Sequence, residues 1–104
     1  DDLFLIYNPS LECAINSDQF AIDEIEIEYI IKGTMSPPNL NLPPNDVVVT
    51  ISMDENFNDS VEIGRKTTDR SGTMKCKIPD VFVGKDYMIR VQTTNYPMEC
   101  LMEF

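Results

Sequence analysis

Apolar and polar side chains take turns along most of this chain. The alternation is tightest over residues 22–31, where Ile25, Ile27, Tyr29 and Ile31 alternate with Glu24, Glu26 and Glu28. A helix would scatter those glutamates around its circumference, whereas an extended strand puts them on one face. The same period of two returns in residues 72–94. There Met74, Cys76 and Ile78 alternate with Thr73, Lys75 and Lys77, Pro79 stops the run, and Tyr87, Ile89 and Val91 then alternate with Met88, Arg90 and Gln92. Each segment predicts a strand with one buried face, and such strands need a second layer to cover them.

The remaining segments supply that layer. Residues 3–7 read as a first edge strand stopped by Asn8-Pro9-Ser10, with residues 11–15 resuming beyond a kink; in a sandwich such a strand can pass from one sheet to the other. Residues 36–46, rich in proline and asparagine, predict an extended connection rather than a domain boundary. The β-branched run at 47–53 reads as a central strand, 54–60 as a polar turn, 61–66 as a shorter strand, 67–72 as another turn, and 98–104 as the last strand. About seven strands and no helical pattern predict one domain over residues 1–104, an all-β antiparallel sandwich of immunoglobulin-like or fibronectin III-like type. The glutamate row 24, 26, 28 is expected to lie beside Lys75 and Lys77 on a paired strand, outside the core.

Composition narrows the function more than the fold. Its 104 residues suit a single core, and 18 acidic against 8 basic residues give a formal charge of −10 with no histidine. That field repels nucleic acid and anionic membranes, and the usual general base and neutral metal ligand are missing. No catalytic residue or cofactor is expected, and no apolar run is long enough for a helical membrane span. A start at Asp1 reads as a processed chain, which would place Cys13, Cys76 and Cys100 in an oxidising compartment; three buried cytosolic thiols are the alternative. The six methionines, Met74, Met98 and Met102 among them, read as core filler.

Two local motifs carry candidate chemistry. Asp54 to Glu62 spaces oxygen ligands like the start of a calcium loop, but Asp59 stands where the sharp-turn glycine belongs and Arg65 where the bidentate glutamate belongs, so a solvated turn is expected. Asn58-Asp59-Ser60 is an acceptor for N-glycosylation at Asn58 if the chain is secreted.

The order of Gly72, a strand ending in Ile78-Pro79, a short turn with Gly84, then Asp86-Tyr87-Met88-Ile89-Arg90-Val91 resembles the immunoglobulin-like domain of fungal cell-wall proteins. These are the KNH-like family, linked to β-1,6-glucan assembly, and the related Ser-Thr-rich glycosylphosphatidylinositol-anchored proteins. Tyr7 to Ser10, Glu26 to Tyr29 and Val49 to Ser52 are similar to further segments of that family, while Tyr29 and Cys76 stand where it usually has tryptophan. The resemblance implies a secreted, cell-wall or cell-surface protein and carries no catalytic residue.

With Cys76 on an apolar face in a tryptophan's place, and with the first strand of such a sandwich tending after its kink to run beside the last, a disulfide between Cys13 and Cys100 is expected. A Cys76–Cys100 bridge and an intermolecular link are the rivals. The expected function is a non-catalytic extracellular module for wall organisation, adhesion or self-assembly. A carbohydrate-binding module, using Tyr96, Phe82 or Phe57, is the alternative, and an accessory domain of a polysaccharide-active enzyme is a third reading. The expected partners are the chain itself, as a homo-oligomer or filament joined through edge strands, other extracellular proteins, or cell-wall glycan. Nucleic acid is not among them.

Overall fold

A computed structural model of the chain describes residues 6–16, 22–36, 45–68, 71–95 and 98–103. The strands are β1 (Ile6–Ile15), β2 (Glu24–Ser36), β3 (Asn45–Ser52), β4 (Ser60–Thr68), β5 (Gly72–Lys77), β6 (Met88–Thr93) and β7 (Glu99–Glu103), with a 3-10 turn at Asp80–Phe82. They form two antiparallel sheets, ordered β1-β2-β5 and β4-β3-β6-β7. This is a β-sandwich with the strand order of a fibronectin III-like module, as the alternation predicts.

The core lies between the sheets. Ile25, Ile27 and Tyr29 of β2 and Cys76 of β5, with Ile78 just beyond it, face Val47, Val49 and Ile51 of β3 and Ile89 and Val91 of β6. Burying a side chain the size of Ile27, which is 0 % exposed, contributes about 2 kcal/mol relative to leaving it in water. The opposite face of β2 carries its glutamates, and the β2–β5 register sets Glu24 opposite Lys77, Glu26 opposite Lys75 and Glu28 opposite Thr73. The two lysines thus lie outside the core, and two of the three predicted charge neighbours are directly opposed.

Three details differ from the sequence reading. Pro9 does not interrupt β1: it sits opposite Gly33 in an unbroken register from Ile6 to Ile15, and over these described residues β1 stays paired with β2 rather than passing to the other sheet. On an edge strand a proline can occupy a position where the missing N–H costs no ladder bond. β2 also runs on past Ile31 through Gly33 to Ser36, the first residue of the stretch that reads as a connection, because β1 pairs with it to the end. Finally, β4 carries a bulge: Gly64 lies opposite Val49 and Glu62 opposite Thr50, so Ile63 is the extra residue. The bulge changes which residues face inward, from Val61 opposite Ile51 to Gly64 opposite Val49. Glycine is needed there. A β-carbon on Gly64 would come within 2.5 Å of the Met74 sulfur and 2.8 Å of the Cys76 sulfur.

Tyr29 solves a related problem on β5. Its ring lies across Gly72, its register partner, so that a β-carbon there would meet the phenol oxygen at 2.9 Å. The tyrosine thereby covers backbone that the glycine leaves bare. Between β5 and β6 the chain turns through Asp80–Phe82, where the Phe82 N–H donates to the Pro79 carbonyl at 2.9 Å. Phe82 is driven inward and meets Tyr87 edge-on, with ring centroids 6.4 Å apart. Gly84, at φ +78°, completes the turn in a conformation that few other residues adopt cheaply.

Candidate interaction surface

Cys13 on β1 and Cys100 on β7 form a disulfide, with α-carbons 6.2 Å apart, that ties one sheet to the other across 87 positions of sequence. Cys76 is free and fully buried. The sequence singled out this pairing, and the rival bridge to Cys76 does not form. Burial pushes the Cys76 thiol up to about 11, which keeps it protonated and unreactive at neutral pH.

The turn joining β3 to β4 is tightly organised. The Ser52 hydroxyl, 0 % exposed, accepts from the Asp54 N–H and donates to the Asp59 carbonyl, both at 2.9 Å. The Asp54 carboxylate accepts from the N–H groups of Asn56 and Asn58 at 3.0 and 3.2 Å. The acid with calcium-like spacing therefore holds its own turn. Among the described residues no group of three or more His, Cys, Asp or Glu is placed to hold a metal ion. The folding of this turn puts Phe57 at φ +54° and buries it, with the Arg90 guanidinium 4.4 Å from the ring centre. A buried aromatic over a cation offsets the strain of a left-handed backbone at a non-glycine residue. Asn58, next in sequence, is exposed, as glycan attachment would require.

Beside this turn the sandwich is open at one end. Met53, at the end of β3, and Val61, on β4, face Val81 and Phe82 of the 3-10 turn across a groove of about 550 Å³, with Asp54 and Asp59 on its lining. Met53, Val61 and Val81 are 48 %, 45 % and 55 % exposed, and they account for half of the large exposed apolar side chains among the described residues. Gathered in one groove, they form a patch rather than the scattered surface residues of an ordinary fold. No sequence motif announces it. Val61 lies opposite the buried Ile51 and so belongs to the inward phase of β4, yet its side chain is left half exposed at that end.

On the outer surface of β3 and β4, Arg65 donates to Asp46 at 2.7 Å and to Glu62 at 2.8 Å, and the Thr67 hydroxyl donates to Asp46 at 2.6 Å. The Thr67 and Arg65 hydrogen bonds hold Asp46 below the usual carboxylate range, and the Arg65 hydrogen bond does the same for Glu62. This cluster fastens an otherwise exposed edge strand to its neighbour.

The aromatic candidates for stacking on sugar are placed differently from the sequence reading. Phe57 and Phe82 are 7 % and 5 % exposed and present no open ring face, while Tyr96 lies outside the described residues. Of the strand edges expected to drive association, residues 3–7 and 100–104, the described parts lie on β1 at the border of one sheet and β7 at the border of the other, with Leu101 half exposed; residues 3–5 and 104 lie outside the described residues. Among the described residues no helix is long and apolar enough to cross a membrane. No family model, curated protein or solved structure matches the chain.

Proposed function

We propose that the chain is a non-catalytic extracellular or cell-surface β-sandwich module that works in wall organisation, adhesion or self-assembly. The observation that carries this reading is the Cys13–Cys100 bridge between the sheets. A disulfide of this kind persists in oxidising compartments and is uncommon in the cytosol. The open strand edges, the exposed Asn58 sequon and the similarity of residues 72–94 to fungal wall proteins support it further.

The test is to secrete the full chain from a eukaryotic host and incubate it with isolated fungal cell walls and, separately, alone at rising concentration. Retention on the walls or concentration-dependent association by sedimentation is the expected result. A chain that stays monomeric and unbound, or that turns over wall polysaccharide, overturns the proposal. Mass spectrometry of the same material reads glycan occupancy at Asn58.

A further inference from the structure

We propose that the groove between Met53, Val61, Val81 and Phe82 is a docking site for a peptide segment of a partner protein, one that presents aliphatic side chains flanked by lysine or arginine. This rests on reading the chain as a binding module and names the surface and the partner chemistry.

Three observations point to that occupant. The groove, at about 550 Å³, lies within the range of roughly 300–1,000 Å³ typical of ligand sites, which is ample for two aliphatic side chains. Its floor is aliphatic and thioether: the one ring present, Phe82, is only 5 % exposed, so the surface offers side-chain pockets rather than a platform for a sugar. Its lining includes two acidic residues, Asp54 and Asp59, in a chain of net charge −10. A cationic flank on the incoming segment would be drawn to that rim, whereas an anionic peptide or an anionic lipid surface would be repelled. Asp54 is committed by its carboxylate to the turn's own amides, so Asp59, exposed and with only its backbone carbonyl in use, is the acid best placed to meet the cation.

Capped Lys-Leu-Thr-Leu-Lys, Glu-Leu-Thr-Leu-Glu and Lys-Ser-Thr-Ser-Lys peptides, titrated into the full chain, test the proposal by NMR of the Met53, Val61 and Val81 methyl groups. The first peptide is expected to shift those methyls at low salt, and the other two are not. Asp59→Asn should weaken the first peptide about threefold to fivefold. Val81→Lys, which places a like charge on the apolar floor, should weaken it about tenfold or more. Val81 is 55 % exposed, so that variant is expected to fold, and should it not, Asp59→Asn and the peptide series still decide. Absence of methyl shifts with the first peptide, equal binding of the glutamate-flanked peptide, or unchanged binding by the variants overturns the proposal. Wall retention or self-association that persists when the peptides fail removes the groove alone, whereas loss of both removes the module reading as well.

Discussion

Where β1 meets β7 the two sheets are joined by the Cys13–Cys100 bridge, whereas where β5 meets β4 they pack without a covalent link, the sulfur atoms of Met74 and Cys76 seated against Gly64. Both corners bring cysteine into the sandwich, yet one uses it as a covalent tie and the other as a small hydrophobe. The difference follows from position. Cys13 and Cys100 are half-buried on edge strands whose backbones approach within bonding reach, while Cys76 is 0 % exposed and faces a glycine. A covalent corner constrains the unfolded chain as well as the folded one; a packed corner acts only in the folded state and depends on shape.

Removing the covalent tie should have the largest effect. For a loop of this length the chain-entropy model gives about 4 to 5 kcal/mol, a large part of the total stability of an ordinary domain. The Cys13→Ser, Cys100→Ser double variant is therefore expected to unfold at much lower urea concentration than the parent. A loss below about 1 kcal/mol would mean that packing already holds the β1–β7 corner, and the contrast between the corners would vanish.

The packed corner should yield to added volume. Gly64→Ala puts a methyl group into contact with both sulfurs, and overpacking of this kind costs about 1 to 3 kcal/mol. Met74 is flexible enough to move aside, so combining Gly64→Ala with Met74→Ala should recover part of the loss, and the double-mutant cycle measures how much. Strict additivity would show that the glycine is needed for the bulged backbone rather than for the sulfurs.

Burial of Cys76 makes the same corner sensitive to alkali. Its thiol is raised from about 9.0 in the open chain to about 11 when folded. A raised pKa stabilises fully below the unfolded value and loses its contribution as pH climbs through the folded one, so stability should fall between those two values. Tyr87, also raised by burial, acts in the same direction at somewhat higher pH. Cys76→Ala should flatten the first part of that decline, and native Cys76 should resist alkylation until the fold opens. Rapid labelling of the folded protein at neutral pH would contradict a closed β4–β5 corner.

Much of the covalent corner was legible in the sequence and little of the packed one. Period-two alternation identified β2, β5 and β6, set the glutamates opposite the lysines, and turned Cys76 inward, because strand faces are determined residue by residue. The Cys13–Cys100 pairing then followed from the proximity of first and last strands in such a fold. The bulge at Ile63 is not legible in the sequence because it depends on how two strands register, and Gly64, within a stretch that reads as a plain strand, shows its role only once its partners are in place. The groove is hidden for a similar reason: Met53, Val61 and Val81 belong to separate segments of the chain, and only the tertiary fold brings them together. Phe57 read as an exposed loop aromatic because nothing local indicates that Arg90 will cover it.

The smallest expected effect concerns the outer face of β4, the strand on which the packed corner depends. Arg65 holds Asp46 and Glu62 at its two amino groups, and Thr67 adds a hydrogen bond to Asp46. All three charged groups are open to solvent, so the cluster is weakened by salt and should add only modestly to stability. Its pH dependence has a definite sign. Both carboxylates titrate below their ordinary values of 3.8 and 4.5, so their contribution is present above those values and is lost as pH falls through the lowered ones. Arg65→Gln should lower the urea midpoint slightly at neutral pH and low salt, and the gap to the parent should close in acid and in high salt. Because Arg65 bridges β3 and β4 on the side away from the core, its loss should also loosen the seating of Gly64 against the two sulfurs. Cys76 would then label somewhat faster in Arg65→Gln than in the parent, with the Cys13–Cys100 bridge unaffected. Identical labelling rates in the two proteins would show that the outer cluster and the packed corner are independent.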